Sequence, residues 1–301
     1  MAEISLTQRG PDDGGNCEYG WSGRYLDTHI ISDVGKKRQH NEDSSLLCAP
    51  DDESLSEKMG VLVAVADGMG GASAGEKASQ LTLTEYSQEL YASQEDNVPS
   101  RIRGSVERAN LRVFEAAREN PAYHGMGTTL SALSIVGDIA YIGQVGDSRV
   151  YVLRQGSDLV QITEDHSLVA EQLRSGMINE EEARNHSLKN LITRAVGIKE
   201  VVQTDVFCTR LQEHDTILIC SDGLTNMIDD PTIAESLAME TLQGVARILV
   251  GKALEAGGSD NITVALVRVS AKPPRTEVQE GCGVVELGSV GLIGKLKQFM
   301  S

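Results

Sequence analysis

Apolar runs of strand length that stop at an Asp-Gly or Gly-Asp pair are the main pattern along the chain. Residues 59–66 are almost entirely apolar and are followed by Asp67 and Gly68. A run that ends at such a pair predicts a buried strand followed by a turn. Similar runs predict two further strands at residues 216–220 and 262–269.

Four more apolar runs follow one another in the middle of the chain, joined by short segments rich in Gly and Asp. The predicted strands span residues 129–136, 139–145, 149–153 and 159–162. Short turns usually join strands that are antiparallel neighbours. We therefore predict that these four strands form one antiparallel meander.

Three segments instead have apolar residues at spacings of three and four, which is typical of helices. The first begins at residue 100 and stops at Asn120-Pro121, and the others cover about residues 74–90 and 240–255. Long helices placed among antiparallel strands predict an α+β fold built in layers.

The charge of the chain excludes several classes of function. Among 301 residues, 44 are acidic and 27 are basic, which gives a net charge of −17. Because phosphate backbones and anionic lipids are bound by clustered Lys and Arg, this balance argues against a nucleic-acid-binding or membrane-surface protein. The longest apolar run is far below the roughly 18 residues that cross a bilayer, so no integral membrane segment is predicted.

The cysteines and the N-terminus indicate the compartment. Five cysteines are widely spaced and form no CxxC pair, so they predict neither a disulfide framework nor a zinc site. The N-terminus is polar and lacks the charged-then-apolar order of a signal peptide. We expect a protein of the reducing cytoplasm.

Composition divides the chain into three parts. Residues 1–24 are polar and Gly-rich and predict a flexible arm, whereas residues 25–270 hold the strands and helices. Residues 271–301 contain two adjacent prolines and five glycines and predict a flexible tail. In an alternative interpretation, residues 291–301 form a short helix that binds a partner or a lipid surface.

Several carboxylates lie at the ends of predicted strands or next to them. They are Asp43, Asp67, Asp147, Asp222 and Asp260. A single Asp-Gly pair more often marks only a turn. If these side chains converge, however, they offer the oxygen ligands that Mg²⁺ and Mn²⁺ prefer. Two such ions about 3.5–4 Å apart can clamp a phosphate and activate a water molecule.

Eight sequence blocks lie in order at residues 32–43, 67–71, 125–129, 146–149, 163–167, 192–197, 221–224 and 258–261. Together they resemble the metal-dependent protein serine/threonine phosphatases of the PP2C type, in their bacterial form. They follow the family order over roughly residues 28–270. Each block alone is weak, but eight in sequence are a specific signal.

The resemblance implies a central antiparallel β-sandwich flanked by helices on both sides, with a two-metal cleft at one end. It implies that Asp67 bridges both ions and that the Gly68 carbonyl binds one of them. It further implies that Asp222 and Asp260 hold the other ion, and that Asp43 acts through metal-bound water.

The resemblance also implies a looser third metal at Asp147 together with Asp222. It assigns Arg38 to the phosphate oxygens, a task that suits a guanidinium fork. Residues 166–197 would include a flap at the substrate entrance. Met69 stands where eukaryotic members often have His, so the general acid stays open between a metal-bound water and, as second choice, His40.

The resulting expectation is an enzyme that hydrolyses phosphoserine and phosphothreonine by direct attack of a metal-bridging hydroxide. Its cofactors would be two or three Mn²⁺ or Mg²⁺ ions, and its substrates phosphoproteins made by serine/threonine kinases. We expect a monomer. The alternatives are a catalytically inactive relative that acts as an interaction module, and a metal-dependent hydrolase of small phosphoesters. The presence of every predicted metal carboxylate favours the active enzyme over the inactive module.

Overall fold

The computed structural model describes residues 6–51, 53–184, 186–188 and 191–287. The strands are β1 (Leu6–Gly10), β2 (Cys17–Ser22), β3 (Leu26–Asp33), β4 (Asp43–Ala49), β5 (Val61–Met69), β6 (Gly127–Thr128), β7 (Leu130–Val136), β8 (Ile139–Val145), β9 (Arg149–Leu153), β10 (Leu159–Gln161), β11 (Asp205–Arg210), β12 (Thr216–Cys220), β13 (Ile262–Val269) and β14 (Gly283–Val284). The helices are α1 (Glu53–Met59), α2 (Ala72–Ala92), α3 (Val98–Glu119), α4 (Leu168–Arg174), α5 (Glu180–Arg184), α6 (Asp222–Thr225), α7 (Asp230–Leu237) and α8 (Leu242–Glu255).

The strands form two sheets. The first has the order β1-β4-β5-β7-β8-β11-β14, with β6 paired to β5, and the second has the order β10-β9-β12-β13-β3-β2. Neighbouring strands are antiparallel except β11 and β14, which are parallel. The predicted strands at residues 216–220 and 262–269 are confirmed as β12 and β13, which pair in the second sheet.

Three apolar layers hold the sandwich together. Side chains such as Val63 of the first sheet and Ile219 of the second fill the space between the sheets. Helices α2 and α3 cover the outer face of the first sheet with residues that include Ile102. Helices α7 and α8 cover the second sheet with residues that include Leu249. Because both faces of each sheet are covered, central strands such as β7 and β8 are buried along their whole length and are mostly apolar. The predicted α+β sandwich is confirmed.

The predicted meander is wrong at its centre. Strands β7 and β8 pair, and so do β9 and β10, but β8 pairs onward with β11 and β9 pairs with β12. The chain therefore crosses from one sheet to the other between β8 and β9. Gly146 permits this crossing with a φ of 103°, which a residue with a side chain rarely adopts.

Two predicted boundaries also differ in the structure. Strand β5 does not turn at Asp67-Gly68 but continues to Met69, where it pairs with β6. The expected flexible arm, residues 1–24, provides two strands over its described part, with β1 against β4 and β2 against β3. Backbone hydrogen bonding to the edges of both sheets explains this order, because edge strands offer unpaired N–H and C=O groups.

The first part of the expected flexible tail is ordered as well. Residues 271–287, here called the C-terminal strap, cross the first sheet and add β14 beside β11. The backbone N–H of Thr276 donates to Asp138 Oδ1 at 2.8 Å, and that of Gln279 donates to the Tyr141 hydroxyl at 3.1 Å. Residues 288–301, including the alternative helix at 291–301, lie outside the described residues. In the part of the chain that the structure describes, no helix is long and apolar enough to cross a bilayer.

Candidate active site

The predicted carboxylates come from separate elements that meet at one end of the sandwich. Asp43 opens β4 and is the register partner of Asp67 on β5, Asp222 opens α6 directly after β12, Asp260 precedes β13, and Asp147 lies in the crossing between β8 and β9. Burial raises the pKa of Asp67 well above its usual value, and the charges of the other four carboxylates add to this effect. The structure thus brings all five predicted acids into one electrostatic cluster.

Asp43 is the most deeply buried member of the cluster. Its Oδ2 accepts hydrogen bonds from Ser221 Oγ at 2.7 Å and from Thr263 Oγ1 at 2.6 Å. Its Oδ1 is buried without a hydrogen-bond partner. Burial raises the pKa of Asp43 to about 7, although both hydroxyl bonds act to lower it. One oxygen is therefore fixed by protein donors, and the other is left to accept from water or a cation.

Asp222 lies near Asp67, and its charge adds to the rise in the pKa of the Asp67 carboxyl group. Burial, followed by the charge of Asp260, raises the pKa of Asp222 to about 6. Asn226 Nδ2 donates to Asp222 Oδ2 at 2.9 Å and orients the group. Neighbouring carboxyl groups are stabilised either by sharing a proton or by sharing a cation.

Gly68 lies where no side chain fits. A Cβ atom at this position would be 2.2 Å from the Gly75 carbonyl oxygen and 2.5 Å from the Glu42 carbonyl oxygen. The Gly68 N–H donates to that same Glu42 oxygen at 3.2 Å. Close backbone packing therefore requires glycine next to Asp67 and fixes the peptide whose carbonyl is a predicted metal ligand.

Arg38 lies at the same end of the sandwich. Its Nε is 2.9 Å from Asp260 Oδ1, its Nη2 donates to Asp260 Oδ2 at 3.0 Å, and its Nη1 is 3.7 Å from Glu42 Oε1. Burial lowers the pKa of Arg38, but the charge of Asp260 and the hydrogen bond to it, together with the charges of Glu42 and Asp67, outweigh this effect and the pKa is raised. The predicted phosphate-binding residue is thus paired with a predicted metal ligand. His40, the second choice for the general acid, is exposed.

The donor set fits a hard divalent cation. It consists of carboxylate and carbonyl oxygens, with one buried oxygen unsatisfied, as Mg²⁺ and Mn²⁺ require. Among the described residues, no group of three His, Cys, Asp or Glu side chains is arranged to hold a metal ion alone. Octahedral ions commonly complete their coordination with water, so they need few protein ligands each.

Hydroxyl groups that the sequence analysis did not single out support the acids. Besides Ser221 and Thr263, Thr129 Oγ1 accepts a hydrogen bond from the Asp67 N–H at 2.9 Å and bonds Ser148 Oγ at 2.7 Å. All four of these hydroxyl residues are buried. In the sequence, Ser148 and Ser221 are visible as neighbours of Asp147 and Asp222. The contacts of Thr129 with Asp67 and of Thr263 with Asp43 join different strands and are visible only in the fold.

The fold and the cluster of oxygen ligands are typical of metal-dependent hydrolases, and comparison with known proteins gives the family. The family model described as Protein phosphatase 2C matches residues 36–254. The chain belongs to this family. It is 40% identical to the serine/threonine phosphatase Stp of Listeria monocytogenes over 241 residues, which is 78% of this chain and 93% of the relative. It is 36% identical to the protein phosphatase PhpP of Streptococcus pneumoniae over 250 residues, or 81% of this chain and 98% of that protein.

Solved structures agree with these relatives. The serine/threonine phosphatase of S. agalactiae superimposes with a TM-score of 0.74 at 37% identity, covering 81% of this chain and 100% of that one. The Mycobacterium tuberculosis phosphatase PstP/Ppp gives 0.73 at 35% identity, covering 82% and 100%. A PstP catalytic domain in complex with two manganese ions gives 0.71 at 34% identity, covering 82% and 99%. The predicted family and enzyme class, a bacterial-type protein phosphatase, are confirmed.

Proposed function

We propose that this protein removes phosphate from phosphoserine and phosphothreonine of other proteins with the help of two divalent cations, Mn²⁺ or Mg²⁺, and a third at Asp147. The observation that carries the proposal is the convergence of five carboxylates beside Arg38 in a chain of the PP2C family. Such cations, when bound, polarise a phosphate ester and bring the pKa of water toward neutrality.

The chain's own residues would divide the work of holding these ions. Asp67, which would also serve the second ion, and the Gly68 carbonyl would hold the first ion. Both lie on β5, where Thr129 and the contact with Glu42 fix the backbone. Asp222 and Asp260 would hold the second ion. Asp43 would act through water, since Ser221 and Thr263 hold its Oδ2 and its buried Oδ1 has no protein partner.

Arg38 would orient the phosphate. Its guanidinium already holds two oxygens of one carboxylate side-on, and a phosphate presents the same pair of oxygens. The side chain is 46% exposed, so a ligand can reach it. Catalysis of phosphoryl transfer consists mostly of positioning and charge neutralisation, and no covalent phosphoenzyme is required. Water as general acid, with His40 as second choice, stays a prediction.

The PP2C relatives are named protein phosphatases, which supports phosphoproteins as the substrates here. Opposing serine/threonine kinases, a cytoplasmic location and a monomeric state stay predictions. The carboxylates that an inactive interaction module would lack are all present and clustered, which favours an active enzyme. A hydrolase of small phosphoesters would have the same site, so only the substrates it hydrolyses can distinguish it from a protein phosphatase.

The test is hydrolysis of an aryl phosphate and of a phosphothreonine peptide with Mn²⁺, with Mg²⁺ and with EDTA. We expect activity only with a divalent cation, and a loss of several orders of magnitude in turnover for Asp222→Asn. Asp158→Asn, which changes an exposed carboxylate before β10, is the matched control and should retain full activity. Activity in excess EDTA would refute the metal mechanism, and hydrolysis of the aryl phosphate alone would favour the small-ester alternative.

A further inference from the structure

His166 is a buried histidine that is hydrogen-bonded to Gly146, where the chain crosses between the two sheets. Its side chain is 1% exposed. Its Nδ1 accepts a hydrogen bond from the Gly146 N–H at 3.0 Å, and its own backbone N–H donates to the Gly146 carbonyl at 3.0 Å. Both polar groups of the residue that precedes Asp147 are therefore held by one histidine.

The same ring is fixed from its other side. Because the Gly146 N–H can only donate, Nδ1 carries no proton, and the proton of the neutral ring lies on Nε2. Nε2 then donates to Asp205 Oδ2 at 2.9 Å, while Arg194 Nη1 donates to Asp205 Oδ1 at 2.8 Å. A continuous hydrogen-bonded chain thus runs from Arg194 through Asp205 and His166 to Gly146.

The backbone on both sides is restrained as well. The Thr193 N–H donates to the His166 carbonyl at 2.8 Å, which connects His166 to the segment before β11. Gln144 Nε2 donates to the Gly146 carbonyl at 3.1 Å. A Cβ at Gly146 would lie 2.6 Å from Thr129, so no side chain fits at this position of the turn. Hydrogen bonds therefore connect residues 193–205 to the turn that carries Asp147.

Asp147 needs such a restraint. Asp147 is buried in the turn between β8 and β9 and is predicted to hold a cation together with Asp222. A carboxylate on a turn can serve as a metal ligand only if the backbone that carries it is fixed in position. The hydrogen bonds to Gly146 supply a fixed anchor one residue away from this carboxylate.

We propose that His166 is a positioning residue that holds Asp147 in place for a divalent cation and links that position to residues 193–205 through Asp205. The inference rests on the proposed function. The competing explanation is that His166 only stabilises the local fold. Partners one shell away from a metal ligand typically change metal affinity or activity by 10- to 100-fold, which sets the size of the expected effect.

Two variants of His166 separate its two ring nitrogens. His166→Asn places an oxygen near the Nδ1 position and can still accept from Gly146, whereas His166→Gln reaches toward the Nε2 position and leaves Gly146 without an acceptor. The measurements are Mn²⁺ binding by calorimetry, the Mn²⁺ concentration for half-maximal hydrolysis of an aryl phosphate, and the melting temperature in EDTA. We expect His166→Gln to weaken the weakest Mn²⁺ binding event by about 10-fold or more. We expect His166→Asn to stay within about threefold of the wild type, since it keeps the bond to Gly146.

A double-mutant cycle then distinguishes positioning from general stability. If His166 acts through Asp147, His166→Gln should cause no further loss of Mn²⁺ affinity in an Asp147→Asn background. Arg194→Met, which removes only the outer member of the chain, should give a smaller loss that also disappears in that background. This second variant keeps the test valid if His166→Gln does not fold.

Equal losses of Mn²⁺ affinity in His166→Asn and His166→Gln would overturn the inference. So would a loss of Mn²⁺ affinity that adds fully to the loss caused by Asp147→Asn. Wild-type protein that responds to Mn²⁺ while the variants show additive losses would overturn this inference alone. Wild-type protein without any response to Mn²⁺ would overturn the proposed function, and the inference with it.

Discussion

The Arg38 guanidinium lies side-on against the Asp260 carboxylate, with Nε 2.9 Å from Oδ1 and Nη2 3.0 Å from Oδ2. A residue proposed to bind phosphate and a residue proposed to bind metal thus neutralise each other. Because a bound cation would compete with Arg38 for the negative charge of Asp260, metal binding is expected to weaken the hold of Asp260 on the guanidinium. The pair is partly exposed, so its contribution to the free energy of folding should be small.

Replacing Arg38 by alanine should therefore impair catalysis far more than stability. We expect kcat/KM for an aryl phosphate at saturating Mn²⁺ to fall by about 10- to 100-fold, mostly through KM, because one bidentate contact to the phosphate is lost. The free energy of unfolding should change by less than about 1 kcal/mol. Steady-state kinetics and urea denaturation measure the two effects.

Two controls accompany this variant. Arg38→Lys keeps the charge but not the fork and should recover only part of kcat/KM. Arg112→Ala removes a 59% exposed arginine of α3 that pairs with Glu115, and should leave the kinetics unchanged. Wild-type kcat/KM for Arg38→Ala would exclude it as a phosphate ligand.

Metal-free protein should lose stability as the pH rises. The pKa values of Asp222, Asp43 and Asp147 are raised, chiefly by burial, to about 6, 7 and 8 from an ordinary value of 3.8. The folded state therefore holds protons that the unfolded chain has already released, so the free energy of unfolding decreases between about pH 4 and pH 8. Melting curves in EDTA at pH 5.5, 7 and 8.5 should show a falling melting temperature.

Mn²⁺ should reverse this trend, since it binds the deprotonated carboxylates. The increase in melting temperature on adding Mn²⁺ should be larger at pH 8.5 than at pH 5.5. Asp147→Asn removes one of the titrating groups and should flatten the EDTA curve between pH 6 and 8.5. A melting temperature in EDTA that is constant or rises with pH would contradict the assignment of these acids to one buried cluster.

The sequence was sufficient for the layers of the fold and for the identity of the clustered acids, but not for their connections. Strands β12 and β13 could be predicted to the residue because they are almost fully buried and most of their residues are apolar. The crossing at Gly146 could not, because a turn within one sheet and a step to another sheet use the same Gly-Asp pair. The pairing of Arg38 with Asp260 joins residues 222 positions apart and depends on the packing of both loops.

The hydroxyl of Thr263 should matter for both stability and metal binding. It bonds Asp43 Oδ2 at 2.6 Å and Ser32 Oγ at 2.7 Å, and all three residues are buried. Thr263→Val keeps the volume but removes these bonds, so we expect a loss of about 1–3 kcal/mol in the free energy of unfolding. Thr263→Ser restores the hydroxyl and should recover most of that loss. Urea denaturation in EDTA measures it, and equal stability of the Val and Ser variants would contradict the role of the hydroxyl.

The C-terminal strap should be required for a stable first sheet. Its Val285 N–H donates to the Cys208 carbonyl at 2.8 Å, and Thr209 Oγ1 donates to the Val285 carbonyl at 2.7 Å, so the strap covers the edge of β11. A chain that stops after Lys272 loses these bonds and exposes that edge, which also favours association between molecules. We expect a loss on the order of 2–4 kcal/mol, from several hydrogen bonds of about 1 kcal/mol each. A chain that stops after Leu287 retains the strap and is the matched control. Thermal denaturation and size-exclusion chromatography compare the two, and identical melting temperatures would show that the strap does not contribute to the stability of the sandwich.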